Sequence, residues 1–113
     1  MSHSLAKLLV DVELAAELID QFVQGVSHHA FVADAMRKSA VQMQFIVIGE
    51  ALIRMRGQFP EAFAAITNAG RIVDFRNIIA HGYDSISDDL VWDAIKRHLP
   101  VLQDDVRRLK QGR

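Results

Sequence analysis

Residues 5–26 read LAKLLVDVELAAELIDQFVQGV. Leu5, Leu8, Leu9, Val12, Ala16, Ile19, Val23 and Val26 recur at spacings of three and four, which gathers them on one face of a helix. A first helix is therefore expected from about Ser4 to Gln24, with Gly25 as its stop and Ser27, His28 and His29 in the turn. The same period governs the rest of the chain, and no segment alternates with period two for long enough to form a strand.

Working outward, a second helix is expected from about Ala30 to Arg56, with Met36, Ala40, Met43, Val47, Leu52 and Met55 facing inward. Within it Phe45, Ile46, Val47 and Ile48 are consecutive, point around the whole helix and call for contacts on more than one side, part of them across a subunit interface. GQFPE at 57–61 interrupts the pattern, because proline cannot occupy a helix interior, and EAFAAI adds one short turn. A third helix, from about Asn68 to His81, turns Ile72, Phe75 and Ile79 inward and should end in a left-handed cap at Gly82. Ser87 followed by Asp88 and Asp89 opens a fourth helix, which Pro100 should kink before Val101, Leu102, Val106 and Leu109 continue its apolar stripe. The reading is an all-α fold: residues 1–113 as one domain, an antiparallel bundle of four main helices plus a short helix.

Composition narrows the function classes. Half of the residues are apolar and the net charge is −1, so a general nucleic-acid coat protein, which would be strongly basic, is disfavoured and any RNA contact must be local. The rich apolar content suggests that a second copy or a partner covers some surface. With no cysteine there is neither a disulfide framework nor thiolate metal ligation. The amino-terminal residues enter helical periodicity directly, and the longest apolar run, FIVIG at 45–49, is too short to span a bilayer; the expectation is a cytoplasmic protein without membrane contact.

The polar residues that stand out are in RNIIAHGY, residues 76–83. On a helix Asn77 and His81 share a face, whereas Arg76 and His81 diverge by about 140°. A long arginine side chain closes part of that gap, and a two-fold axis near this helix would bring two copies of each residue into one groove. Histidine, with an unperturbed pKa near neutrality, can take the proton from an RNA 2′-hydroxyl. Arginine can grip the scissile phosphate and hold the charge that develops on it. Strand cleavage to a cyclic phosphate then needs neither metal nor cofactor. The spacing by itself is weak, since nine arginines and five histidines in 113 residues give about 0.4 such matches by chance. The residues equally allow a structural account, with His81 as a cation at a helix C-terminus.

RNIIAHGY resembles the Arg-x4-His-x-Tyr motif of the HepT-like family of HEPN domains, small all-helical ribonuclease toxins. IGEAL at 48–52 and VWDAIKRHLPVLQDDV at 91–106 are similar to the family's second-helix and last-helix segments, so the resemblance covers nearly the whole chain. It implies a HEPN-type bundle and an endoribonuclease toxin of a toxin–antitoxin pair, with Arg76 and His81 as the nuclease residues and Asn77 assisting. It further implies a homodimer whose two motifs meet, able to assemble with an MntA-like nucleotidyltransferase antitoxin that transfers AMP to the motif tyrosine, here Tyr83. The alternative function is a non-catalytic helical dimer that binds a nucleotidyltransferase or a nucleotide.

Other polar residues have blander readings. Glu50, in an apolar helix, needs a cation, with Arg76 or Arg54 as partner, and reads as structural. His28 and His29 lack a third ligand at a helical spacing, which argues against a metal site. Asp84, Asp88, Asp89 and Asp93 read as a solvated helix start, although a basic antitoxin surface could dock there. Arg107, Arg108, Lys110 and Arg113 read as a solvated basic end, or as an RNA backbone track if a second subunit adds neighbours.

Overall fold

In the computed structural model, Ser4 is extended and its hydroxyl accepts the Lys7 N–H at 3.1 Å, which starts α1 (Leu5–Val23). The structure describes residues 4–82 and 84–112. Gly25 takes a left-handed φ of 72° in the turn after α1, a conformation that glycine adopts without steric cost. Ser27 then caps a five-residue helix, α2 (His28–Val32), and Asp34 caps α3 (Ala35–Gln58) by accepting the Arg37 N–H at 3.0 Å. The expected single helix from Ala30 is thus two helices. Asp34 favours the non-helical cap conformation, which ends one run and begins another.

Pro60 occupies the first turn of α4 (Pro60–Ala64), where its missing N–H costs nothing. Asn68, at φ 56°, precedes α5 (Ala69–Gly82). Gly82 is not at positive φ and closes α5 within helical geometry, so the left-handed cap expected there is absent. The Ser87 hydroxyl accepts the Leu90 N–H and opens α6 (Asp88–Asp93) as its sequence indicated. Between α6 and α7 (Leu99–Lys110) lies one π-helical turn, Ala94–His98, in which the Leu99 N–H reaches the Ala94 carbonyl. The irregularity expected at Pro100 therefore falls one turn earlier: the widened register comes just before a residue that has no N–H to donate.

All regular elements among the described residues are helical. α3 packs against α1 and against α5, and α7 lies on α1. Leu8, Val12, Ile19, Phe31, Ile48, Leu52, Met55, Val91, Leu99 and Val106 are fully buried between them. Each such side chain contributes roughly 1.5–3 kcal/mol relative to exposure.

The inward face of α3 differs from the expected one. Val41, Phe45, Ile48, Leu52 and Met55 are buried, steps of four, three, four and three, whereas Met36 and Met43 are 84% and 55% exposed. The run Phe45–Ile48 satisfies two phases at once. Only the phase through Val41 and Phe45 continues to Leu52 without a five-residue jump. Ile46 and Val47 are half-buried, in keeping with apolar residues all round the helix.

Candidate active site

α5 comes close to α3 at Gly49, where a built Cβ would overlap Cβ and Cγ of Arg76. The aliphatic stem of Arg76 therefore lies against bare α3 backbone, and its head ends beside the next residue. Nη2 of Arg76 donates to Oε1 of Glu50, and Nη1 donates to Oδ1 of Asn77 at 2.9 Å. Nε is buried with no partner among the described residues. Glu50 thus takes Arg76, not Arg54, as its cation. The arginine side chain is 20% exposed and the carboxylate 40%, so the group sits at the rim of the core with one edge toward solvent.

Asn77 is half-buried and His81, one turn further along α5, is exposed in the last turn. The structure thus brings Arg76, Asn77 and Glu50 into one hydrogen-bonded group and leaves His81 on the solvent side of the same helix. Tyr83 lies outside the described residues. Such a group can bind an anion through the remaining guanidinium N–H bonds, with an imidazole available for proton transfer.

The architecture and this cluster can be set beside known proteins. A family model described as Ribonuclease HepT-like matches residues 12–109, which takes in α3, α5 and the whole motif. The chain belongs to the HepT-like ribonuclease family. With the family comes the enzyme class, an endoribonuclease. Among curated relatives, "Putative RNase MJ1380" of Methanocaldococcus jannaschii is 28% identical over 98 residues, 87% of this chain and 89% of that protein. "Putative RNase TTE0752" of Caldanaerobacter subterraneus subsp. tengcongensis is 25% identical over 95 residues, 84% of each chain. "Gamma-glutamylcyclotransferase and putative RNase MJ0434" of M. jannaschii is 22% identical over 84% of this chain but only 42% of its own length. No solved structure matches at a significant level.

Other polar groups of this HepT-like chain are engaged elsewhere. His28 Nε2 lies 2.7 Å from Asp89, and Lys38 lies 3.2 Å from Asp88, so part of the acidic run ties α6 to α2 and α3. Asp93 is met by Arg97 and His98 at 3.4 and 3.5 Å. Arg107 and Arg108 pair with Asp104, and Lys110 with Glu13 at 2.6 Å, so the described cations of the basic end already have acidic partners; Arg113 lies outside the described residues. A cavity of about 300 Å³ on the other flank of α5 is lined by Phe45, Ile72, Phe75, Leu99 and Leu102, and contains none of Arg76, Asn77 or His81. No helix among the described residues is long and apolar enough to cross a membrane.

Sequence reasoning missed Gly49. A glycine inside a long apolar helix is a usable signal, because it loses backbone entropy there and needs a close approach to justify it.

Proposed function

We propose that this ribonuclease cuts RNA by intramolecular transfer: the 2′-oxygen attacks the adjacent phosphorus as the bond to the 5′-oxygen breaks. His81 accepts the 2′-hydroxyl proton, and the departing 5′-oxygen takes a proton from water or from a second imidazole across a dimer. The products are a 2′,3′-cyclic phosphate and a 5′-hydroxyl. Arg76 binds the phosphate and Asn77 steadies the guanidinium. The observation that carries the reading is the clamped guanidinium of Arg76 on the helix that presents His81 to solvent.

The finer expectations belong to the same proposal. The enzyme acts as a toxin and as a homodimer through α3 and α5, supported by exposed Met36 and Met43 on α3 and Ile78 on α5. A nucleotidyltransferase antitoxin silences it by placing AMP on Tyr83, where added charge and bulk would obstruct the RNA path. This rests on the motif's resemblance to the family.

The test is cleavage of an RNA oligonucleotide in EDTA, with the ends analysed. His81→Ala and Arg76→Ala should each lose about 10²- to 10⁴-fold in rate. Undiminished cleavage by folded His81→Ala would refute the assignment. Tyr83→Phe should keep activity and escape AMP transfer, and AMP mapped to another residue would refute that part alone.

One observation favours a second reading, a binding module without catalysis: the charge of Arg76 is already met by Glu50, as in a purely structural ion pair. Absence of RNA cleavage by the folded dimer would select it.

A further inference from the structure

We infer that Gly49 and Glu50 form a seat for Arg76, and that Glu50 is a positioning residue for RNA cleavage, acting through the arginine. This rests on the reading in which Arg76 binds the scissile phosphate.

Three observations converge on it. The stem of Arg76 occupies the space that any side chain at Gly49 would need, so this glycine lets the arginine lie flat across α3. The following residue supplies the carboxylate that takes Nη2, while Asn77 takes Nη1, so both terminal nitrogens are directed from different helices. Nε is buried with no partner among the described residues, so the head is held there through its two terminal nitrogens alone.

Stability alone does not require the arrangement. With the carboxylate 40% exposed, solvent screening keeps the pair's contribution to folding modest. It also has a functional disadvantage, since the carboxylate repels the phosphate that Arg76 is to bind. A negative charge held beside a phosphate-binding arginine makes sense if it exchanges ground-state affinity for a guanidinium fixed where charge grows in the transition state. Two fixed acceptors leave the free N–H edges of the guanidinium in one orientation, ready for the phosphate.

The consequence is a split between binding and turnover. Glu50→Gln keeps an oxygen acceptor for Nη2 and removes the negative charge. Its kcat should stay within about 3-fold of wild type while KM for an RNA oligonucleotide falls roughly 3- to 10-fold at low salt. Glu50→Ala removes the acceptor, and its kcat should fall roughly 10- to 100-fold. Both should keep the helical circular dichroism and melt within a few degrees of wild type. In an Arg76→Lys background, which lacks the planar fork, Glu50→Ala should cost little more, because Glu50 acts only through the guanidinium.

The outcomes separate this inference from the reading beneath it. If Arg76→Ala is inactive and Glu50→Ala keeps wild-type kcat, the positioning role is refuted and the nuclease assignment stands. If Glu50→Gln loses as much kcat as Glu50→Ala with KM unchanged, positioning through a hydrogen-bond acceptor is refuted. Wild-type cleavage by Arg76→Ala would bring down both.

Discussion

Arg76 occupies the side-chain space of Gly49: a Cβ at residue 49 would overlap the arginine's own Cβ and Cγ. These are atoms close to the α5 backbone, so relief requires moving the helix and not merely the tip of a flexible chain. Gly49→Ala should therefore destabilise by about 1–3 kcal/mol, the usual cost of overpacking, although glycine to alanine in an open helix position gains about 1 kcal/mol. Gly57, with nothing within 4 Å of a built Cβ, is the control, and Gly57→Ala should raise the melting temperature. If Arg76 binds the scissile phosphate as proposed, cleavage by Gly49→Ala should fall at least about tenfold, since displacement of such a group is costly. Thermal melts and rate assays on the two variants check both points.

Asp105 is nearly buried on α7 and accepts the Thr67 N–H at 2.8 Å, which fastens the connection before α5 to α7. Asp105→Ala leaves that N–H without its acceptor and should cost about 1–3 kcal/mol. Asp105→Asn, which retains an oxygen, should cost less. Denaturant midpoints of the two variants decide it: equal loss would mean that the charge, not the hydrogen bond, matters.

Asp34 caps α3, and the Arg37 N–H donated to its carboxylate, reinforced by the Arg37 side chain, holds its carboxyl below the usual value. A folded-state pKa below the unfolded one stabilises the fold above the unfolded value of 3.8, and the benefit is lost as pH falls through the folded value. Asp34→Ala should melt below wild type at neutral pH, with the gap narrowing only under more acidic conditions than that. A gap independent of pH down to acid unfolding would contradict the capping role.

Met43 is 55% exposed on α3 and Ile78 50% exposed on α5, the two helices joined at Arg76. If this face is covered by a second copy, Met43→Glu and Ile78→Glu should each shift the mass in light scattering from dimer toward monomer without loss of helix content. Wild-type protein at monomer mass at micromolar concentration would dismiss the dimer and the shared groove with it.

Much of the local structure was legible because its causes are local. Ser87 caps the helix it precedes, and the stripe from Leu8 to Val23 is the buried face of α1. The reading failed where two local solutions compete. Asp34 broke a run that looked continuous from Ala30, and the apolar residues of α3 fit either of two phases until a neighbour selects one. At the site, the motif named Arg76 and Asn77, which do touch, but a spacing could not assign Glu50 to Arg76 over Arg54.

The sequence by itself therefore determined the helical class, most helix starts, and the residue types of the candidate site, because periodicity and capping act within a few residues. Tertiary structure decided which face of α3 is buried, that Gly49 admits the stem of Arg76, and that Glu50 holds its head. Those depend on how two rigid helices approach each other, with partners 26 residues apart in the chain. That approach is set by the packing of the whole core, which no short stretch encodes.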